Sequence, residues 1–246
     1  MKIIILLFAL LMFVNYAVSD DLGNDFETDT IQTSKGQLLI TFIGHGTLMF
    51  KFNDLVVHAD PVSWYANYDK LPKADITLIT HHHGDHLDPK AIKLISKKDT
   101  KVILTESCVE KFKDGIVLAN GDEKIISGIS VFAVPAYNLV HKRDDGTVFH
   151  PKGVGNGYIV TFGNKKVYIA GDTENFPEMK DLKDVDIAFL PMNLPYTMTP
   201  EMVADAVDMI KPKVLYPYHF GETNTDDLLK LLNDKTDLEV RIRKME

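Results

Sequence analysis

The segment 80–88 holds the densest group of potential metal ligands in the chain, in the pattern His-x-His-x-Asp-His. Alternate residues after a strand point the same way, so His81 and His83 can bind one cation together. Asp85 and His86 follow one turn later and can reach a second cation nearby. Imidazole and carboxylate groups suit zinc, iron or manganese. The spacing therefore predicts half of a two-metal site.

A solvated histidine-rich loop is the structural alternative, because histidine tracts also bind metals adventitiously. Four ligands at fixed positions argue against it, since the chain has only 9 histidines in 246 residues. Gly84 is expected to allow a tight bend between the two pairs of ligands.

Two further candidates stand at the ends of apolar segments, where site residues tend to lie on loops held by a sheet. Asp172 follows the run that ends at Ala170-Gly171. His219 follows Tyr216-Pro217-Tyr218 in the same way. Positions 63–65 and 193–196 also follow strand ends and are expected to form pocket walls.

Together these residues resemble the metallo-β-lactamase-fold superfamily, over about Gln37 to Gly221. The resemblance implies an α/β fold, a four-layer αββα sandwich with metal-binding loops at one edge of its sheets. It implies three sets of ligands: His81 and His83 for the first metal, Asp85, His86 and His219 for the second, and Asp172 as the bridge.

The middle ligand departs from the commoner family pattern, in which Pro135-Ala136-Tyr137 leads into a histidine. Asn138 stands there instead, and both His141 and His150 remain as substitutes. His150 is favoured, because its neighbours Phe149 and Pro151 precede a strand and resemble a subgroup that lacks the usual histidine. His141 lies among charged residues and is typical of an exposed loop tip.

Segments 42–47 and 58–61 resemble the branch of ascorbate-6-phosphate lactonase-like and N-acyl-phosphatidylethanolamine phospholipase D-like proteins. That branch hydrolyses lactones and phosphodiesters. His45 and Asp60 are expected to hold ligand imidazoles in the correct tautomer, with a plain strand-end role as the alternative. His58 is expected to be structural.

These patterns predict a dinuclear metal-dependent hydrolase with two divalent ions, zinc first and manganese or iron as alternatives. A metal-bridging hydroxide would attack an ester, lactone or phosphodiester-type substrate. Asp85 and Asp172 are the expected catalytic carboxylates, which orient the hydroxide and transfer a proton. The alternative is a non-catalytic metal-binding or sensor protein that retains the fold.

The net charge of −8 and the pI of about 5.6 disfavour a nucleic-acid partner. The expected partner is a small-molecule or lipid-like substrate. Cys108 is the only cysteine, so no internal disulfide can form, and it is expected to be buried.

The first residues, a lysine followed by an apolar run over 3–14, predict a signal peptide over 1–19 that is cleaved after Ser19. The run is shorter than the ~20 residues that span a bilayer, and an uncleaved membrane anchor is the alternative. Residues 20–36 are predicted to be a mobile acidic segment, and 37–246 the hydrolase domain. The protein is therefore expected to be exported, secreted or periplasmic, with no transmembrane span in the mature chain.

Apolar periodicity and turn residues predict two β-rich halves, each followed by helices, packed as two sheets under helical layers. Helices are predicted at 89–95, 200–210 and 226–232, with Asp88 and Thr199 as N-caps of the first two. Strands are predicted at 38–43, 48–52, 55–58, 76–80, 101–105, 129–136, 157–162, 166–170, 186–190, 214–218 and 238–242.

Overall fold

The fold consists of two mixed β-sheets of seven strands each, within residues 26–245, which the computed structural model describes. The first sheet has the order β1 (Glu27–Thr33), β2 (Gly36–Gly44), β3 (Thr47–Phe52), β4 (Leu55–Ala59), β5 (Ala74–Leu78), β6 (Ser96–Leu104) and β7 (Ile116–Val117). The second runs from β8 (Glu123–Ile126) through β9 (Ile129–Ala136), β10 (Gly155–Phe162), β11 (Lys165–Ile169), β12 (Ile187–Pro191) and β13 (Val214–Tyr218) to β14 (Glu239–Val240).

Both sheets share one pattern of strand pairing. Strands β1 to β4 and β8 to β11 pair antiparallel, whereas β4 to β7 and β11 to β14 pair parallel. The parallel pairs need crossover connections, which bring the carboxyl ends of those strands to one edge of each sheet.

Three helices connect the strands: α1 (Pro89–Ile95), α2 (Pro200–Ile210) and α3 (Thr225–Leu232). The N-cap side chain of each helix accepts a hydrogen bond from a backbone N–H group in the first turn. The N-caps are Asp88 for α1, Thr199 for α2 and Asn224 for α3. Two 3-10 helices lie at Glu106–Cys108 and Pro177–Asp181. No helix in this part of the chain is long and apolar enough to cross a bilayer.

The core lies between the sheets, where aromatic residues of both inner faces interlock. The ring of Phe50 lies 5.7 Å from that of Phe162 and 5.9 Å from that of Phe189. Outside the first sheet, α1 buries Ala91 and Ile95. Helices α2 and α3 pack on the second sheet with their apolar faces buried. The predicted four-layer αββα sandwich, the metallo-β-lactamase fold, is therefore confirmed.

Strand β1 corrects the prediction that residues 20–36 are a mobile acidic segment. From Glu27 onward the segment pairs with β2, and Asp29 accepts hydrogen bonds from the hydroxyl of Tyr216 and from Arg241 and Arg243. These partners lie far along the chain, which is why the polar sequence of β1 gave no local sign of a strand. The predicted signal peptide at 1–19 and residues 20–25 lie outside the described residues.

Candidate metal centre

The ligand candidates meet at one edge of the two sheets, because each follows or precedes a strand that ends there. The His-x-His-x-Asp-His segment follows β5, Asp172 follows β11, and His219 follows β13. His150 lies in the loop before β10, and His45 lies in the turn between β2 and β3.

One group of side chains consists of His81, His83, His150 and Asp172. Each offers a ligand atom, and these atoms all lie within 4.8 Å of one another. The Nε2 atom of His81 lies 3.0 Å from Nδ1 of His83. The Nε2 atom of His150 lies 3.3 Å from Oδ2 of Asp172.

A second group consists of His45, Asp85, His86 and His219, whose ligand atoms also lie within 4.8 Å of one another. The Nε2 atoms of His86 and His219 lie 3.3 and 3.4 Å from Oδ1 of Asp172. The two carboxylate oxygens of Asp172 therefore face one group each, which is the geometry of a bridge.

Several polar atoms at the centre of the site are buried and have no hydrogen-bond partner. They include Nε2 of His86, Nε2 of His219 and Oδ1 of Asp172, which face one another. Buried polar atoms are normally paired, and a cation between these three would satisfy them all. The residues present therefore fit a bound metal.

Asp60 orients one histidine of each group. One of its oxygens, Oδ2, accepts from Nδ1 of His86 at 2.8 Å and from the hydroxyl of Thr80 at 2.6 Å. That hydroxyl in turn accepts from Nδ1 of His81 at 3.0 Å. The other nitrogen of each ring, Nε2, therefore points into the site, as expected for Asp60.

His150 enters the site, whereas His141 does not. The Nδ1 atom of His150 donates to Oδ1 of Asn138 at 2.7 Å. The Nδ1 atom of His141 lies 2.6 Å from a carboxylate oxygen of the buried Glu174, and His141 belongs to neither group. The structure thus places the favoured middle histidine beside Asp172.

Glu174 fixes the loop that carries Asn138, a function that no local pattern of residues predicted. Its carboxylate accepts the backbone N–H groups of Leu139, Val140 and His141 at 2.6 to 2.7 Å. It also accepts from the side-chain amide of Asn138 at 3.2 Å. Because Glu174 follows Asp172 by two residues, one segment carries both Asp172 and the support of His150.

The electrostatics hold His81, His83 and Asp172 in the forms that bind a cation. Burial lowers the pKa of His81 well below its usual value and that of His83 to about 4, so both imidazoles are neutral. Burial would raise the pKa of Asp172, but His219 and His86 outweigh it and hold that pKa well below its usual range. His86 shows the reverse balance: burial lowers its pKa, yet Asp172 and Asp60 raise it well above the usual value. A cation would therefore displace a proton from His86.

Two expectations about individual residues need correction. His45 was expected to hold a ligand imidazole, but its Nε2 instead lies 3.3 Å from Oδ2 of Asp85, inside the second group. Gly84 was expected to allow a tight bend, but its φ is not positive and a Cβ there would meet no atom within 4 Å, so the bend does not depend on glycine. The backbone strain lies elsewhere, at His45, Asp60 and His219, which adopt left-handed φ values of 46 to 52°.

Aromatic side chains flank the two groups, as the strand-end positions predicted. The ring of Tyr65 stacks on His45, with centroids 5.4 Å apart. The ring of Tyr196 meets that of Phe149 edge-on at 5.0 Å, next to His150. Cys108 is fully buried and takes no part in either group, as expected.

Comparison with known proteins agrees with this geometry. A family model described as Beta-lactamase superfamily domain matches residues 39–219. A UPF0173 metal-dependent hydrolase of Methanopyrus kandleri is 31% identical over 196 residues, which cover 74% of this chain and 84% of that protein.

Solved structures show the same fold. A protein of Parabacteroides distasonis described as a metal-dependent hydrolase has a TM-score of 0.85 and 51% identity, covering 90% of this chain and 100% of the other. A metallo hydrolase of Ignicoccus hospitalis has a TM-score of 0.67 at 23% identity, covering 85% of this chain and 96% of the other, and shows the fold alone. The chain belongs to the β-lactamase superfamily domain family and, within it, to the UPF0173 metal-dependent hydrolases.

Proposed function

We propose that this chain is a dinuclear hydrolase that cleaves an ester, lactone or phosphodiester with water. The observation that carries the proposal is the position of Asp172, whose two oxygens each face a separate group of histidines. His81, His83 and His150 would hold one metal ion, and Asp85, His86 and His219 the other. Zinc is the proposed metal, because neutral imidazoles are its usual nitrogen ligands and carboxylates its usual oxygen ligands.

A pair of divalent ions would lower the pKa of a water held between them and polarise the carbonyl or phosphoryl oxygen of the substrate. The two carboxylates differ in their access to that water. The side chain of Asp172 is 4% exposed, which suits a buried bridge, whereas that of Asp85 is 34% exposed. Asp85 can therefore face the substrate, orient the attacking water and transfer its proton to the leaving group.

His45 keeps Asp85 in place for this task. Its Nε2 atom lies 3.3 Å from Oδ2 of Asp85. Its ring stacks on that of Tyr65 and lies tilted against that of His219, with centroids 3.7 Å apart. Burial lowers the pKa of His45, so the imidazole is neutral at pH 7. The pair thus presents an ionised carboxylate with a fixed orientation at the solvent side of the site.

The experiment that tests the proposal is elemental analysis of the protein purified without added metal. Wild type is compared with His150→Ala, His141→Ala and Asp172→Ala, and each is assayed on ester, lactone and phosphodiester panels. Two equivalents of metal in wild type, reduced by His150→Ala but not by His141→Ala, would support the site. Loss of turnover in Asp172→Ala would support the bridge.

Other results would contradict the proposal. One equivalent or none, unaffected by either histidine variant, would leave a mononuclear or degraded site. Two equivalents without hydrolysis on any panel would favour a metal-binding or sensor protein that retains the fold.

We also propose that the protein is exported, with the signal at 1–19 removed after Ser19. The basis is the sequence alone, a basic start followed by an apolar run and small residues. The mass of the intact chain from the native host tests this proposal: a mature chain that begins at Asp20 supports it, and an unprocessed N-terminus contradicts it.

A further inference from the structure

Exposed apolar side chains are concentrated beside the candidate metal centre. Among residues 26–245, nine large apolar side chains are exposed, and five of them lie on three loops at this edge: Trp64, Leu139, Val140, Leu194 and Tyr196. Apolar side chains gathered in one region of a soluble protein commonly mark a binding site. Together with Tyr65 they form two walls, one at each end of the site.

The first wall, Trp64 and Tyr65, stands at the end of the site that holds His45. Tyr65 stacks on His45, and the ring of Trp64 lies 6.4 Å from that of Tyr65, with 72% of the residue exposed. The preceding Ser63 is fixed, because its backbone N–H donates to Oδ2 of Asp88 at 2.9 Å. Trp64 is thus presented to solvent by an anchored loop.

The second wall, made of Leu139, Val140, Leu194 and Tyr196, stands at the end that holds His150. The backbone oxygen of Tyr196 accepts from the side-chain amide of Asn138 at 2.8 Å, and Asn138 also binds His150. The amides of Leu139 and Val140 are bound by Glu174, so their side chains turn outward. This wall too is fixed by the residues that position the histidines.

We propose that the two walls form an apolar subsite for the aliphatic acyl chain of a carboxylic ester. This inference rests on the proposed hydrolase function and deepens it by naming the substrate class. In the reaction, water adds its oxygen to the acyl carbon, the acyl C–O bond breaks, and the alkoxide leaves with a proton as the alcohol. The acyl chain departs as the carboxylic acid.

The chemistry of the walls favours an acyl chain over a sugar or a nucleotide. The five exposed side chains offer hydrocarbon and aromatic surface, and only Tyr196 and Trp64 carry a polar group. Arg143 follows Leu139 and Val140 in the same loop, and its guanidinium lies 4.9 Å over the ring of Phe149 and so packs against the wall. Burial of each methylene on such a surface is favourable, which predicts a preference that grows with chain length.

Trp64 provides a direct readout that does not depend on turnover, because it is the only tryptophan in the chain. The metal-loaded protein is titrated with acetate, butyrate and octanoate, each below its aggregation concentration, while tryptophan fluorescence is recorded. We expect a saturable spectral shift with octanoate, a smaller one with butyrate and none with acetate. In Tyr196→Ala the octanoate titration should require at least about threefold more ligand, from the loss of apolar contact.

A second measurement uses p-nitrophenyl esters from acetate to octanoate. We expect kcat/KM to rise by about twofold for each added methylene, about half the effect of full burial, because the walls are partly exposed. Trp64→Ala and Tyr196→Ala should flatten this rise, because they should lower kcat/KM for octanoate more than for acetate. Ile125→Ala is the matched control, since Ile125 is equally apolar and 76% exposed but lies on β8, the edge strand of the second sheet.

The outcomes separate this inference from the proposed function. Hydrolysis of all esters without a chain-length effect, or an effect that both variants retain, would overturn the subsite and leave the hydrolase intact. Absence of all hydrolysis would count against the hydrolase, and the fluorescence titration would still decide whether the walls bind an acyl chain. A response to phosphatidylcholine vesicles but not to monomeric octanoate would overturn the inference in favour of membrane contact.

Discussion

The side chain of Asn138 accepts a hydrogen bond from Nδ1 of His150 at 2.7 Å. An amide oxygen can only accept, so Nδ1 of His150 carries the proton and Nε2 faces Asp172 with a free lone pair. Asn138 occupies the position at which the commoner family pattern has a histidine ligand. In this chain the residue at that position supports the candidate ligand His150, which lies twelve residues later.

The first prediction is that Asn138→Ala weakens metal binding in the group of His81, His83 and His150. Without the acceptor, His150 is free to rotate and to change tautomer, and such supporting contacts are worth about 10 to 100-fold in metal affinity. The measurement is competition with a chromophoric zinc chelator. His141→Ala is the control, because it alters the same loop and leaves Asn138 in place. Equal zinc affinity in wild type and in a folded Asn138→Ala would contradict the assignment.

The second prediction concerns Asp60→Asn. An amide nitrogen in place of Oδ2 would face Nδ1 of His86 as a donor and force the proton onto Nε2, which points at Asp172. We expect the group of Asp85, His86 and His219 to lose about 10 to 100-fold in affinity, so that the protein purifies with one metal rather than two.

Asp75→Asn serves as the control for that experiment. Asp75 also accepts a backbone N–H in the first sheet, from Val56, but its other partner is Lys97 rather than a histidine. Two equivalents of metal in both variants would show that Asp60 does not set the tautomer of His86.

The third prediction compares two glycines of the ligand loops. Gly171 has φ of 65°, and a Cβ there would lie 2.9 Å from Cβ of Thr80 and 3.0 Å from the backbone oxygen of Asn156. Gly171→Ala should therefore lower the free energy of unfolding by about 1 to 3 kcal/mol and displace Asp172. Gly84→Ala should change it by less than about 0.5 kcal/mol, because its Cβ meets open space. Urea unfolding of both variants checks this, and equal losses would contradict it.

The ends of two helices could be predicted from local sequence, whereas strand β1 and the support of His150 depend on contacts between residues far apart in the chain. Helices α1 and α2 begin and end where proline, the N-caps and apolar spacing predicted. Strand β1 was missed because its polar residues are stabilised by Tyr216, Arg241 and Arg243, about 190 to 210 residues away. The support of His150 was missed for the same reason, since Glu174 and Asn138 meet only after the second sheet has formed.

The last prediction concerns His58, which lies on β4 outside both histidine groups and was expected to be structural. It is fully buried, its Nε2 donates to the backbone oxygen of Pro72 at 3.0 Å, and its Nδ1 has no partner. Burial lowers its pKa from 6.5 to about 4. The unfolded chain therefore takes up a proton at His58 between pH 6.5 and 4, whereas the folded chain does not.

Proton uptake by the unfolded state lowers the stability of the fold as the pH falls through that window. The contribution of neutral His58 to the free energy of unfolding is fully present above about pH 6.5. Its loss below pH 4 is on the order of 3 kcal/mol, at 1.36 kcal/mol per pKa unit. In His58→Gln the side-chain amide can still donate to Pro72 and does not titrate. Urea unfolding of both proteins with chelator present, at pH 7, 6, 5 and 4, should show a smaller decrease in the variant. Parallel decreases would mean that the histidines of the metal centre, rather than His58, determine acid stability.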